Sequence, residues 1–190
     1  MAVEYELKFA AEPQTLASVE KELGGVWQEM AMRTTYYDTP EGTLSARKWT
    51  LRRRLENGVS VCTLKTPAQM GRQEYEVICD TIETGVAELC KLGAPEELLA
   101  LTASGVVPVC GAAFTRLART IAFERCTVEV ALDRGELFGG EKTQPLCELE
   151  VELKGGDPTA AWEFALFLAA KHGLRPENRS KFKRALALSR

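Results

Sequence analysis

The sequence predicts an α+β chain that is mainly antiparallel β, one sheet-rich domain decorated by helices. Eight runs alternate apolar and polar residues with the period of two that a half-buried strand requires. Asn57-Gly58 separates two of those runs, and this dipeptide suits a type I′ hairpin because both central residues there need positive φ. No repeat, linker or low-complexity tract divides the chain, so residues 1–190 are expected to form one domain.

The strands are expected at 2–9, 26–37, 49–56, 59–66, 72–79, 117–124, 126–133 and 146–154. The hairpin makes 49–56 and 59–66 antiparallel neighbours. A helix is expected over 13–23, opened by Pro13 and stopped by Gly24-Gly25, and a Leu-rich one from Pro95 to Ala103. The strongest helix signal runs from Asp157 as N-cap, through Pro158 at the first turn, to His172, with Gly173 just past the end. Trp162, Ala165, Leu166 and Ala169 mark its expected apolar face, and Trp27 and Trp162 are expected in the core. A short final helix from about Ser180 carries Lys181, Lys183 and Arg184.

Composition narrows the function classes. At 190 residues, 45% hydrophobic and 27% charged, the chain is long enough to bury a core. A net charge of -3 argues against a general nucleic-acid binder, so any anion site must be local. No apolar run nears the roughly 20 residues needed to span a bilayer, and the N-terminus lacks the plan of a secretory signal. A soluble cytoplasmic protein with no membrane partner is expected. Six cysteines without a C-x-x-C pair, and a single histidine, His172, make a zinc site a poor reading and buried thiols a good one.

Charge alternation carries the chemistry. Glu4, Glu6 and Lys8 share one strand face, and Glu148, Glu150 and Glu152 share another near the far end of the chain. Arg52 and Arg54 share a face in the middle, as do Thr63 and Lys65. A lone strand of this kind reads as a solvated surface strand. Like charges two residues apart lie about 7 Å apart and repel by about 0.6 kcal/mol in water, or about 2.4 kcal/mol at an effective dielectric of 20. Segregation of acids at the chain ends from bases in the middle favours a shared site for a polyanion and a hard divalent cation, which prefers carboxylate oxygen. Neither a Walker A motif nor G-x-G-x-x-G is present, so phosphates would be held by side chains.

Glu4-x-Glu6-x-Lys8, Tyr36 through Thr39, Leu51 through Arg54, Thr63-Leu64-Lys65, Arg72 through Glu76, the Glu129 to Gly135 segment and Cys147 through Glu152 form an ordered set. That set resembles the CYTH superfamily, the triphosphate tunnel metalloenzymes. Val128 to Gly135 and Ser180-Lys181 bring the similarity nearest to the bacterial inorganic triphosphatases. Members of that branch often carry a following CHAD domain, for which no counterpart is expected before Arg190.

The resemblance implies an eight-stranded closed tunnel barrel with peripheral helices, and hydrolysis of inorganic triphosphate to pyrophosphate and phosphate with Mg2+ or Mn2+. It implies Glu4, Glu6, Glu148 and Glu150 as metal ligands, and Lys8, Arg52, Arg54, Lys65, Arg116 and Lys181 as phosphate contacts. Glu4, Glu6 and Lys8 are the expected catalytic residues, with Glu74, Glu76 and Asp133 as further acids and Arg119 competing with Arg116. The partner is then a small-molecule polyanion, tripolyphosphate or an organic triphosphate. Thiamine triphosphate hydrolysis, cyclisation of ATP, and polyphosphate or nucleotide binding without turnover are the alternatives. The cyclase branch has a His-Phe lead into its first acidic strand, where this chain has Met1-Ala2-Val3. Packing is the expected part for Trp49, and a helix-end position without catalysis for His172.

Overall fold

The computed structural model describes residues 2–69 and 71–189, with side chains from residue 5 onward. Strands β1 (Ala2–Glu4) and β2 (Glu6–Ala10) lead to helix α1 (Pro13–Leu23), β3 (Gln28–Asp38), the short helix α2 (Thr43–Ala46) and β4 (Thr50–Glu56). Then follow β5 (Val59–Pro67), β6 (Arg72–Ile78), helices α3 (Ile82–Lys91) and α4 (Glu97–Leu101), and three long strands: β7 (Val107–Phe123), β8 (Cys126–Gly139) and β9 (Lys142–Gly156). Helix α5 (Pro158–His172), β10 (Arg175–Pro176) and α6 (Lys181–Leu188) complete the described chain.

All ladders are antiparallel, and the strands run β1-β6-β5-β4-β3-β7-β8-β9-β2-β10. This corrects the eight-stranded closed barrel: the described sheet has ten strands in a row with two ends. Regular pairing is interrupted at Tyr5, whose carbonyl still accepts from the Leu153 N–H, and this divides the first expected strand, while the two-residue β10 adds an edge. Residues 2–4 pair with β6 while residues 6–10 pair with β9.

The Asn57-Gly58 turn has φ of 49° and 89°, as its hairpin requires, and Asn57 Oδ1 accepts from the Ala31 N–H of β3. Strand β7 starts at Val107, well before the expected 117; its first half stays hidden in the sequence because the small residues Gly111, Ala112 and Ala113 carry no alternation. Helix α3 was not expected, since Gly85 interrupts its pattern. A Cβ there would lie 2.6 Å from Cys62 Sγ, so glycine lets α3 lie directly on β5.

Helices cover the outside of the sheet. Val128, Val130, Leu132, Leu149 and Val151 pack beneath α1 and α5, while Leu51, Cys62 and Leu64 pack beneath α3 and α4. The period of two therefore turns the charged residues inward. Helix α6 caps the inner face at one end, where Phe182 and Ala185 join Tyr36, Phe114 and Leu137. Tyr36 and Phe182 ring centroids lie 5.1 Å apart, and burying a Phe of this kind stabilises by about 1.5–3 kcal/mol.

The Trp162 expectation is corrected: its side chain is 54% exposed, and so is that of Leu166. Helix α5 is apolar nearly all round, so its pattern selected the face only in part: Ala165 and Ala169 turn inward as expected, and Ala161, Phe164 and Leu168 join them in place of Trp162 and Leu166. Trp27 is half-buried against the α1 and α5 core. All six cysteines are free thiols, and burial pushes Cys62 up to about 11 and Cys110 up to about 12.

Candidate active site

Register assembles the acidic wall. Glu6 of β2 lies across from Glu152 of β9, and Glu129 of β8 lies across from Glu152 on its other side. Lys8 pairs in register with Glu150, and Asp133 with Glu148. Glu6, Lys8, Glu129, Glu150, Glu152 and Lys154 line a cavity of about 720 Å³. Lys8 Nζ donates to Glu6 at 2.9 Å; burial works against its charge, but Glu6 outweighs it and raises the lysine above its ordinary value.

The opposite wall is basic. Arg52, Arg54, Lys65 and Arg72, from β4, β5 and β6, line the same cavity. Arg52 and Lys65 each lie 3.4 Å from Glu74, Arg54 lies 3.2 Å from Glu56, and the Thr63 hydroxyl donates to Glu76 at 3.3 Å. Burial and the nearby charges of Arg52 and Arg116 lower Arg54 from its ordinary value. Arg52 Nε is buried without a hydrogen-bond partner among the described residues. Crowded guanidinium groups and an unmet buried donor define a place where an anion gains.

Between the walls, beneath α6, lies a closed charge cluster. Oxygens of Asp133, Glu148 and Glu150 lie within 4.8 Å of one another, compact enough for a metal ion. The Lys181 ammonium sits among them, 2.8 Å from Asp133 and 2.7 Å from Glu150, and it also donates to Glu148. Arg116 bonds Asp133 at 2.8 and 2.7 Å and Glu150 through the same guanidinium, and Arg184 donates to Glu148. Burial opposes the Lys181 charge, yet Glu150, Asp133 and Glu148 together raise it. Burial would raise Glu150, but Lys181 and Arg116 hold it well below the usual carboxylate range. Glu148 stands the other way: burial, joined by neighbouring Glu150, pushes it up against the pull of Lys181 and Arg184.

Of the expected residues, Glu6, Lys8, Arg52, Arg54, Lys65, Arg116, Glu150 and Lys181 come together on one cavity, as do Glu74 and Glu76. The Glu4 side chain lies outside the described residues. Glu148 and Asp133 are fully buried beside the cavity and do not line it. Arg116 rather than Arg119 faces inward; the Arg119 guanidinium donates to the Leu23 and Gly24 carbonyls at the end of α1. Trp49 packs with the α3 and α4 core. His172 lies 2.9 Å from Glu22 at the end of α5, away from the cavity. Asp38 caps α2 by accepting from the Leu44 and Ser45 amides.

Sequence reasoning assigned no role to Glu129, Glu152, Arg72 or Arg184. Strand period places Glu152 with Glu150 and Glu129 with Asp133, but only the register that sets Glu152 between Glu6 and Glu129 picks these acids out. The i, i+3 spacing from Lys181 would have found Arg184.

Comparison with known proteins matches a CYTH domain to residues 2–186. The chain is 31% identical over 198 residues to an inorganic triphosphatase of Haemophilus influenzae, covering 99% of this chain and 55% of that protein. It thus spans about half the length of that curated relative. In structure it is similar to a Hippeastrum protein provisionally named an adenylyl cyclase and described as having a dominant triphosphatase activity, with a TM-score of 0.69, 18% identity, and coverage of 97% of this chain and 95% of that one. A Bacillus halodurans protein provisionally named an adenylate cyclase matches with a TM-score of 0.67 at 19% identity, covering 96% of each chain. These structural likenesses concern the fold.

Proposed function

We infer that this chain, which belongs to the CYTH domain family, hydrolyses inorganic triphosphate to pyrophosphate and phosphate in the cavity between its acidic and basic walls. The observation that carries the reading is that one cavity joins Glu6, Glu150 and Glu152 on one side to Arg52, Arg54 and Lys65 on the other. The name of the Haemophilus influenzae relative supports the same substrate. The finer shape we propose is a tunnel: residues 2–10 meet β6 with one end and β9 with the other, which favours a wall that curls round the cavity. Residues 1–190 act in this reading as one catalytic unit, and six free thiols fit a cytoplasmic enzyme.

The residues fit a hard divalent ion. Glu6, Glu129 and Glu152 occupy neighbouring register positions on three adjacent strands and offer only oxygen, with Glu150 and Glu4 completing the proposed set. Mg2+ or Mn2+ bound there would neutralise phosphate oxygens and ease deprotonation of a water. Arg52 offers its unmet Nε–H, and with Arg54 and Lys65 it binds the polyanion and takes up charge developing on the departing pyrophosphate. Lys8 and Arg116 do the same from the acidic side, where each also holds a carboxylate in place. The closed hydrogen-bonded surroundings keep these donors oriented before substrate arrives.

Met30, Met32, Tyr36 and Phe182 also line the cavity and favour, as a second reading, a triphosphate bearing an organic group. Phosphate release from tripolyphosphate, ATP and thiamine triphosphate, measured in parallel with Mg2+, Mn2+ or chelator, separates these readings. Selective metal-dependent turnover of tripolyphosphate is expected. Preference for thiamine triphosphate or ATP would move the assignment to the organic substrate, and tight anion binding without any turnover would make the chain a sensor.

A further inference from the structure

Three acids and three cations meet beneath α6, and their formal charges cancel: Asp133, Glu148 and Glu150 against Arg116, Lys181 and Arg184. Their positions differ. Arg116, Glu150 and Lys181 reach the cavity, whereas Glu148 is fully buried and turns its two oxygens to Lys181 and Arg184, one to each. Lys181 and Arg184 stand one turn apart on α6, so Glu148 grips the helix at two points. Ser180 caps that helix by accepting from the Lys183 N–H, and Ser180, Lys181 and Phe182 all face the cavity. Close approach is built into the strand below, because a Cβ on Gly139 would fall 2.3 Å from the Ala185 carbonyl oxygen.

We propose that Glu148 and Arg184 are a positioning pair: Arg184 engages one oxygen of Glu148, so that Lys181, which Glu148 also holds, stays bridged to Asp133 and Glu150 at the cavity. The proposal rests on the hydrolase reading of the same cavity, and it gives Glu148 a part distinct from holding metal. Lys181 touches all three acids, so the carboxylate that holds it most strongly decides how far its charge reaches the substrate. With Arg184 present, Glu148 is satisfied by two cations. Without it, Lys181 becomes the sole strong partner of a buried carboxylate, and drawing the ammonium further toward Glu148 is the cheapest way to avoid an underpaired buried charge.

The test compares wild type, Arg184→Met, Glu148→Gln, the double variant and Arg184→Lys, reading kcat, KM for tripolyphosphate, the metal concentration for half-activation, and melting temperature. Arg184→Met should lower kcat about tenfold with KM changed by about twofold or less, as for loss of a group that orients a reacting residue. The double variant should recover most of that loss, because Lys181 again has only Asp133 and Glu150 to serve, and Arg184→Lys should stay near wild type. Half-activating metal should be unchanged throughout. A large rise in half-activating metal in Glu148→Gln, with no recovery in the double variant, would make Glu148 a metal ligand and overturn the proposal. Losses that track melting temperature without recovery would reduce the pair to a structural role. Should wild type fail to turn over tripolyphosphate, the hydrolase reading falls, and the pair is still read from the 15N resonance of the Lys181 ammonium on adding tripolyphosphate: its response lost in Arg184→Met and restored in the double variant if the proposal holds, unchanged in both if it does not.

Discussion

Two carboxylate triads stand on the same sheet within a few residues of each other, and they live in different environments. Asp133, Glu148 and Glu150 have side chains 0%, 0% and 9% exposed and are matched by three cations. Glu6, Glu129 and Glu152 are 17%, 27% and 28% exposed, face the open part of the cavity, and meet Lys8 and Lys154. Compact acidic geometry alone would nominate the first triad for metal. Charge compensation argues for the second, joined by the cavity-lining Glu150, since an ion entering among all three acids of the first must displace an ammonium that already satisfies them. The difference teaches that a carboxylate cluster is a metal site only where its charge is left for an ion to answer.

The largest effect expected from this contrast is on stability. Lys181→Met should leave the buried triad short of a cation and destabilise the fold by about 3–5 kcal/mol, seen as a lowered urea midpoint. A variant as stable as wild type would mean that the buried triad relaxes by taking up protons. Glu6→Gln should do the opposite: turnover down about 100-fold or more, with the melting temperature nearly unchanged. A collapse in stability there would make both triads structural. Arg52→Ala, on the basic wall, should weaken tripolyphosphate capture about tenfold, the worth of a charge-assisted hydrogen bond, read as a raised KM and a smaller ligand-induced thermal shift.

The smallest effect is in acid. Glu150 is held below its ordinary value of 4.5 by Lys181 and Arg116 once burial is overcome, so its stabilising share is complete above pH 4.5 and is lost as pH falls through the lowered folded value. Glu148 is raised by burial, so its ionisation costs stability above its folded value, and that cost is relieved on acidification. Urea melts between about pH 3 and 7 should show a shallower acid decline in Glu150→Gln than in wild type, and a steeper one in Glu148→Gln. Equal slopes would remove the electrostatic distinction between the two residues.

Much of this arrangement was legible in the chain. Alternation located the strands wherever a large apolar residue marked each outward position, as in 49–56 and 126–133. It failed where Gly111, Ala112 and Ala113 replace such residues, and in α5, whose all-round apolar surface left Trp162 free to face outward. The inner charges Glu6, Lys8, Arg52, Arg54 and Lys65 were found because strand period fixes which residues share a face. Glu152 was passed over beside Glu148 for want of register, since nothing local says which of three acids on one face lies across from Glu6.

The sequence by itself determined the antiparallel, sheet-rich class, the Asn57-Gly58 turn, the ends of α1 and α5, and the segregation of acids from bases. These follow from contacts within a few residues, where backbone geometry leaves little choice. Tertiary structure alone decided that Arg116 and not Arg119 turns inward, that Lys181 sits among Asp133, Glu148 and Glu150, and that ten paired strands stand in place of eight. Those outcomes depend on residues far apart in the chain meeting in space, and the free energy of a buried charge is set by whichever partners the fold brings to it.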